Sequence, residues 1–148
     1  LKVPFAAGVN NHMGSRMTAE PTAMAWLMAE LQRRDLFFVD SRTSAATVAA
    51  AKAQEDCLAH VSRDVFLDDV RTSEAITAQL REGVELARRQ GSAVLIGHPY
   101  AQTLEVLERE MPRLKSQGIE LIELRQMIAV RSNLAMPAHG KQGRYSNR

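Results

Sequence analysis

Apolar and polar residues alternate along the chain in blocks that predict strands followed by helices. Short, continuously apolar runs are typical of buried strands, and apolar residues spaced by three and four are typical of one helix face. The predicted strands are residues 3–9, 36–39, 57–61 with 65–67 just beyond, 93–96 and 119–124. Helices are predicted after the first four strands, from about Thr18, Thr47, Ser73 and Thr103.

Single residues mark where these helices begin, bend and end. Pro21 suits the first turn of the first helix, and Gly91 suits the position just past the end of the third. Pro112 lies inside the fourth predicted helix, which predicts a kink or a break there. From about Ser132 the chain turns polar. We therefore expect one domain over residues 1–131 and a loose tail over residues 132–148.

Alternating buried strands and amphipathic helices predict an α/β fold with a parallel sheet covered on both faces. In such folds ligands bind at the carboxyl ends of the strands. The unusual polar residues of this chain fall at those ends, in residues 10–15, 40–43, 63–69 and 98–99. This coincidence predicts a functional site at one edge of the sheet.

Composition narrows the class of protein. A chain of 148 residues with 45% apolar and 24% charged residues is typical of one globular domain. No apolar run approaches the roughly 18 residues that a membrane span needs. A net charge of +2 and 5% aromatic residues argue against nucleic-acid binding. The single cysteine, Cys57, excludes an internal disulfide and a CxxC metal cage.

Two histidines follow predicted strands. His12 stands after two asparagines and before a glycine, where it is either a metal ligand or substrate contact, or a loop histidine that caps backbone groups. His98 stands between Gly97 and Pro99, where a side chain that titrates near neutral pH suits general acid or base catalysis. The alternative for His98 is a structural histidine bonded to a carbonyl.

The carboxylates at the strand ends are also open to two interpretations. Asp40 is either a ligand of a metal or histidine, or a turn and helix-cap residue. Asp68 and Asp69 are either paired catalytic carboxylates or ordinary helix-start residues, with Asp68 nearer the strand end. Arg63 could pair with one of them and orient it. His60 is expected to be a partly buried strand residue. The chain has no GxGxxG, P-loop, GxSxG or HExxH motif.

Four segments in this order resemble the divergent polysaccharide deacetylase family over about residues 5–125. They are Gly-Val-Asn-Asn-His-Met-Gly-Ser at 8–15, Phe-Val-Asp-Ser at 38–41, Arg-Asp-Val-Phe-Leu-Asp-Asp at 63–69 and Ile-Gly-His-Pro at 96–99. The resemblance implies a distorted (β/α) barrel whose first strand or strands precede this chain. It also implies a bacterial protein acting outside the cytoplasm, in the periplasm, on a polysaccharide or oligosaccharide.

The resemblance further implies a hydrolase that removes acyl groups from amino sugars with a divalent metal, often zinc. A metal of this kind polarises the carbonyl and lowers the pKa of a bound water toward about 7. In this chain His12, with Asp40, would hold the metal, and His98 would be the general acid, grouped with Asp68 and Arg63. Asn10, Asn11 and Ser41 would contact the substrate.

Two departures from the family pattern leave a rival hypothesis open. The Asn-Asn-His-Met segment holds one histidine instead of the usual pair, and the aspartate pair of the family's first strand is absent. The rival is an inactive carbohydrate-binding or envelope-scaffolding domain. An incomplete barrel would leave a strand edge either unpaired or paired with another chain, which includes a homo-oligomer.

Overall fold

The computed structural model describes residues 3–135 and has the predicted α/β architecture of parallel strands joined by helices. The five strands are β1 (Gly8–Asn10), β2 (Phe37–Asp40), β3 (His60–Ser62), β4 (Val65–Phe66) and β5 (Leu95–Ile96). The six helices are α1 (Ser15–Thr18), α2 (Pro21–Arg33), α3 (Ala49–Glu55), α4 (Ser73–Gln90), α5 (Ala101–Ser116) and α6 (Leu124–Ala135). None of the helices in this range is long and apolar enough to cross a membrane.

The strands form two parallel sheets, and neither sheet closes on itself within the described residues. β1, β2 and β3 form one sheet in that order, and β4 pairs with β5 in the other. In the first sheet Val9 lies opposite Phe38, and Val39 lies opposite Val61. In the second, Phe66 lies opposite Ile96. The carboxyl ends of the strands in each sheet therefore lie at one edge of that sheet. The sequence predicted parallel strands but a single sheet, and the structure divides them between two.

Three apolar clusters hold the helices on the sheets. One joins α2 and α3 to β2 through Met24, Met28 and Phe38. The second lies under α6 and contains Val39, Val61, Val94 and Ile128. The third packs α4 and α5 against the strand pair. β2 is buried at all four positions, so its side chains are covered on both faces of the sheet. This explains why its sequence is continuously apolar up to Asp40.

Helix ends follow the sequence signals. Pro21 is the first residue of α2, where its missing N–H costs no helical hydrogen bond, and the Glu20 side chain accepts from the Thr22 N–H. The Thr72 hydroxyl caps α4 by accepting from the Ala75 N–H. Gly91 ends α4 with φ of 82°, a left-handed conformation that glycine adopts without strain.

Residues 119–124 differ from the sequence prediction, because they form no strand. The chain there is irregular, Leu121 is 60% exposed, and α6 begins at Leu124. A short apolar run becomes a strand only when a neighbouring strand takes up its backbone hydrogen bonds, and no strand among residues 3–135 does so. The helical spacing of Leu124, Met127, Ile128 and Arg131 was the missed signal for α6.

Two further elements also differ from the sequence prediction. α5 continues through Pro112 without a break. The strand expected at 57–61 begins only at His60, because Cys57 lies in a turn with φ of 53°. His60 is half-buried in β3, as predicted. The tail expected over residues 132–148 lies mostly outside the described residues. Its first positions belong to α6, which runs to Ala135.

Candidate active site

The register of the second sheet brings Asp68 and His98 together. Phe66 and Ile96 are paired residues of β4 and β5, and each is followed two positions later by one of the polar pair. A hydrogen bond from the Leu67 N–H to the Ile96 carbonyl, 2.8 Å long, continues the pairing toward them. Both side chains therefore leave the carboxyl edge of the sheet at the same level.

Asp68 and His98 form a hydrogen-bonded dyad. The His98 Nδ1 atom lies 3.0 Å from one carboxylate oxygen of Asp68, and the His98 backbone N–H donates to the other at 2.5 Å. The buried Thr103 hydroxyl donates to that second oxygen at 2.9 Å. A Cβ at position 97 would lie 3.2 Å from it, so the glycine allows this close approach.

The electrostatics of the dyad favour an ionised aspartate. Burial alone would raise the pKa of Asp68, which is 2% exposed. The hydrogen bonds from the His98 backbone, the His98 ring and Thr103 outweigh burial and leave the pKa of Asp68 below its ordinary value. An ionised carboxylate can only accept, so the His98 ring donates to it from Nδ1.

Aromatic side chains surround the His98 ring, which is 32% exposed. The His12 ring meets it edge-on, with centroids 5.6 Å apart and planes at 82°. Phe66 lies 5.6 Å away on centroids, and Tyr100 lies 5.2 Å away. His12 follows β1 in the first sheet, so this contact joins the carboxyl edges of both sheets at one cleft.

Asp40 uses its carboxylate to build the loop after β2. One oxygen accepts from the Arg42 N–H at 2.8 Å and the other from the Thr47 hydroxyl at 2.9 Å. The side chain is almost fully buried, with the residue 1% exposed. These contacts are those of a turn and cap aspartate, the second interpretation that the sequence allowed. A metal at Asp40 would have to compete with both hydrogen bonds.

The described part of the chain brings few metal-binding side chains together. Residues 3–135 contain no cluster of three or more histidine, cysteine, aspartate or glutamate side chains able to hold a metal ion. His12 is exposed and lies beside His98, but Asp68 and Asp40 are both engaged by hydrogen bonds. The described residues therefore do not fit a complete metal centre by themselves.

Asn10, Asn11 and Ser41 bind one another across the ends of β1 and β2. The Asn10 amide donates to the Ser41 hydroxyl at 2.7 Å and to the Val39 carbonyl at 2.8 Å. The Ser41 N–H donates to the Asn11 side-chain oxygen at 2.8 Å, and the Ser41 hydroxyl donates to the Asn11 carbonyl at 2.7 Å. This network fixes the rim of the cleft and positions the loop that carries His12.

Arg63 holds the same rim from the side of β3. Its Nε donates to the Ser41 carbonyl at 2.6 Å and its Nη2 to the Arg42 carbonyl at 2.9 Å, while its guanidinium lies over the Phe66 ring at 5.4 Å. Partial burial, with Arg42 nearby, lowers the pKa of the Arg63 guanidinium. Arg63 thus binds carbonyls where the sequence suggested a carboxylate, and Asp68 is oriented by His98 and Thr103 instead.

Sequence reasoning did not identify Thr103, Tyr100 and Arg71 as site residues. The sequence predicted that this helix begins at about Thr103, but Thr103 is the third residue of α5 and its hydroxyl binds Asp68. Tyr100 precedes α5 and stacks beside His98, and Arg71 lies over the Tyr100 ring at 4.0 Å. Position in sequence was the available signal, because Tyr100 stands two residues after His98 and Arg71 three after Asp68.

Comparison with known proteins identifies relatives over most of the chain. The family model for divergent polysaccharide deacetylases matches residues 1–128. An uncharacterized protein of Haemophilus influenzae is 41% identical over 117 residues, 79% of this chain and 41% of that protein. The uncharacterized protein YibQ of Escherichia coli (strain K12) is 43% identical over 107 residues, 72% of this chain and 34% of YibQ. The chain thus spans less than half the length of these relatives.

A solved structure shares the fold. The crystal structure of an uncharacterized protein from Agrobacterium tumefaciens C58 matches with a TM-score of 0.80 and 26% sequence identity. The match covers 82% of this chain and 49% of that one. The arrangement of parallel strands and helices described above therefore recurs within a longer protein.

Proposed function

Because the chain belongs to the divergent polysaccharide deacetylase family, we propose that it is part of a hydrolase that removes acyl groups from amino sugars in polysaccharides or oligosaccharides. The observation that carries this proposal is the Asp68–His98 dyad at the carboxyl edge of the sheet. An amide nitrogen leaves only after it is protonated, so a reaction of this kind needs a positioned general acid.

In the proposed reaction His98 is the acid that protonates the leaving amine. Asp68 binds the Nδ1 side of the ring, so that Nε2 faces the cleft and carries the transferable proton when the ring is charged. The buried, ionised carboxylate stabilises the imidazolium, as in other histidine–carboxylate pairs. Thr103 keeps the carboxylate in place by donating to its other oxygen. Asp68 is thus a positioning residue, and His98 touches the substrate.

The metal part of the proposal rests on His12. Zinc or another divalent ion would need ligands besides this histidine, and residues 3–135 do not supply a complete set. We place those ligands, together with the aspartate that acts as general base, outside the described residues. Asp40 is a candidate only if it gives up its bonds to Arg42 and Thr47.

The architecture we propose is a distorted (β/α) barrel to which further strands contribute. An open cavity of about 860 Å³ lies between β5, α4, α5 and the start of α6, lined by apolar side chains that include Leu80, Leu107 and Leu121. An open apolar surface of this extent is a place where another element can pack. A structure of the full chain that leaves this cavity and the outer edge of β1 uncovered would contradict the proposal.

The second candidate is a carbohydrate-binding or envelope-scaffolding domain without turnover. The lack of a complete metal-ligand set within the described residues favours it. For both candidates we propose a location outside the cytoplasm, in the periplasm, which the family supports. They differ in one property, which is hydrolysis.

Acetate release separates the two candidates. We expect the full chain to release acetate from N-acetylated oligosaccharides, and to contain a divalent metal when analysed by mass spectrometry after purification without chelators. Release above the rate of a sample heated to denaturation supports the hydrolase. Binding of oligosaccharide with neither metal nor release would favour the inactive domain.

A further inference from the structure

Arg71 and Tyr100 form a stacked pair beside the dyad that the proposed proton transfer does not use. The guanidinium carbon of Arg71 lies 4.0 Å from the Tyr100 ring centroid. The Tyr100 and His98 rings lie 5.2 Å apart on centroids, with their planes at 37°. The His98 ring and the Arg71 guanidinium are therefore separated by no more than the sum of these two distances. One oligosaccharide can contact both groups.

The stacking leaves the hydrogen-bonding edges of Arg71 available. An arginine that lies over an aromatic ring uses the face of its guanidinium, while its N–H groups point outward in the plane. Arg71 is exposed in the loop between β4 and α4. Among residues 3–135 it forms no ion pair, whereas two of the three guanidinium nitrogens of Arg63 donate to carbonyls of the rim. Arg71 is thus held in place without being neutralised.

A held, planar guanidinium is suited to ligands that present a pair of anionic oxygens. Its parallel N–H groups match the two oxygens of a carboxylate, and a side chain fixed in advance loses less entropy on binding. The Asp68 carboxylate cannot take this place, because His98 and Thr103 occupy it. Arg71 is therefore open to a partner that a ligand supplies.

We propose that Arg71, held by Tyr100, is a specificity-determining residue that binds the carboxylate of an acidic sugar next to the acylated sugar. This inference rests on the proposed function, because it takes the cleft at His98 as the saccharide site. It deepens that function by assigning the substrate to the class of carboxylate-bearing glycans. A neutral chain of N-acetylated sugars would lack the group that Arg71 binds.

Binding measured without turnover tests the proposal. The full chain is titrated calorimetrically at low salt with two probes of equal length, N-acetylchitotetraose, which is neutral, and a hyaluronan tetrasaccharide, which alternates N-acetylglucosamine with glucuronate. We expect the acidic probe to bind about tenfold more tightly, the ratio given by one charged contact. Arg71→Gln should remove this preference, and Arg71→Lys should keep part of it, because lysine retains the charge without the planar fork.

The matched control is Arg89→Gln, which makes the same charge change at the far end of α4. It should leave the ratio of the two affinities unchanged. Equal affinity of the wild type for both probes would overturn the proposal, and so would an Arg71→Gln variant that keeps the preference. If the role of Arg71 is purely structural, Arg71→Gln would weaken the binding of both probes equally and leave the ratio of their affinities unchanged. Failure of the proposed function has a different signature, namely an Arg71-dependent preference for the acidic probe without any release of acetate.

Discussion

The hydrogen bonds of Asp40 and of the Asp68–His98 pair distinguish a structural side chain from one that is available to a ligand. Both carboxylate oxygens of Asp40 accept bonds within its own loop. Asp68 is equally saturated, but one of its partners is the ring of His98, which is a third exposed. Within residues 3–135 the Nε2 atom of that ring has no hydrogen-bond partner. His98 is therefore the residue placed to exchange a proton with a ligand.

Asp68 should make the stability of the protein depend on pH in the acid range. Its pKa is lowered in the folded state, so its contribution is complete above the ordinary aspartate pKa of about 4 and is lost as the pH falls through the lowered value. We expect Asp68→Asn to reduce the free energy of unfolding by about 1–3 kcal/mol at pH 7. Urea titrations from pH 7 to pH 3 should show the difference from wild type narrowing below about pH 4.

Asp69→Asn is the matched control for this experiment, because Asp69 is the exposed neighbour. It should stay within about 0.5 kcal/mol of wild type throughout. A difference between Asp68→Asn and wild type that stays constant or widens toward pH 3 would show that Asp68 is not ionised with a lowered pKa.

The sequence identified Asp68 and His98 as candidate site residues but did not predict that they are hydrogen-bonded to each other. It placed Asp68 and His98 at strand ends, yet the two are 30 positions apart and the alternatives for each remained open. The pairing follows from the register of β4 and β5, which sets both residues two positions beyond a paired one. That register depends on tertiary packing. Equal offsets from two parallel strands would have been the usable clue.

Among the secondary-structure elements, the local sequence pattern failed to predict α6 and predicted a strand before it that does not form. Residues 119–124 are apolar enough for a strand, but a strand needs a partner, which the local sequence does not reveal. The helix that follows instead covers the second apolar cluster with Ile128. The predicted α2, α4 and α5 formed because their apolar spacing and end signals agreed.

Arg131 should anchor α6 to the strands. Its guanidinium forms an ion pair with the Asp64 carboxylate, and it donates to the Ser92 hydroxyl at 3.3 Å and the Ser62 carbonyl at 3.5 Å. We expect Arg131→Gln to lower the free energy of unfolding by about 1–3 kcal/mol, because Asp64 loses a partner in a partly buried place. Urea unfolding followed by circular dichroism measures the change.

The control for that change is Arg88→Gln, which removes an ion pair between two exposed side chains, Arg88 and Glu85 of α4. It should cost less than about 0.5 kcal/mol, since exposed pairs contribute little. Equal effects of the two substitutions would mean that α6 is not held by Arg131.

In the whole molecule, the cleft depends on both sheets. His12 follows β1 of one sheet and His98 follows β5 of the other, and their rings meet at 5.6 Å. The sequence predicted this convergence from the rule that ligands bind at the carboxyl ends of parallel strands. It could not predict that Asn10, Asn11 and Ser41 hydrogen-bond to one another at the rim, because those contacts join separate loops.

The measurement that tests the central claim most directly compares His98→Ala with His60→Ala in the full chain. His60 is the matched control, since its Nδ1 also binds one partner, the Leu58 carbonyl at 2.8 Å, but it lies on β3. We expect His98→Ala to lower acetate release by roughly 10² to 10⁴, with the fold and the metal content kept, and His60→Ala to release acetate at close to the wild-type rate. Unfolding of His98→Ala, loss of its metal, or acetate release equal to that of His60→Ala would contradict the role of His98 as general acid.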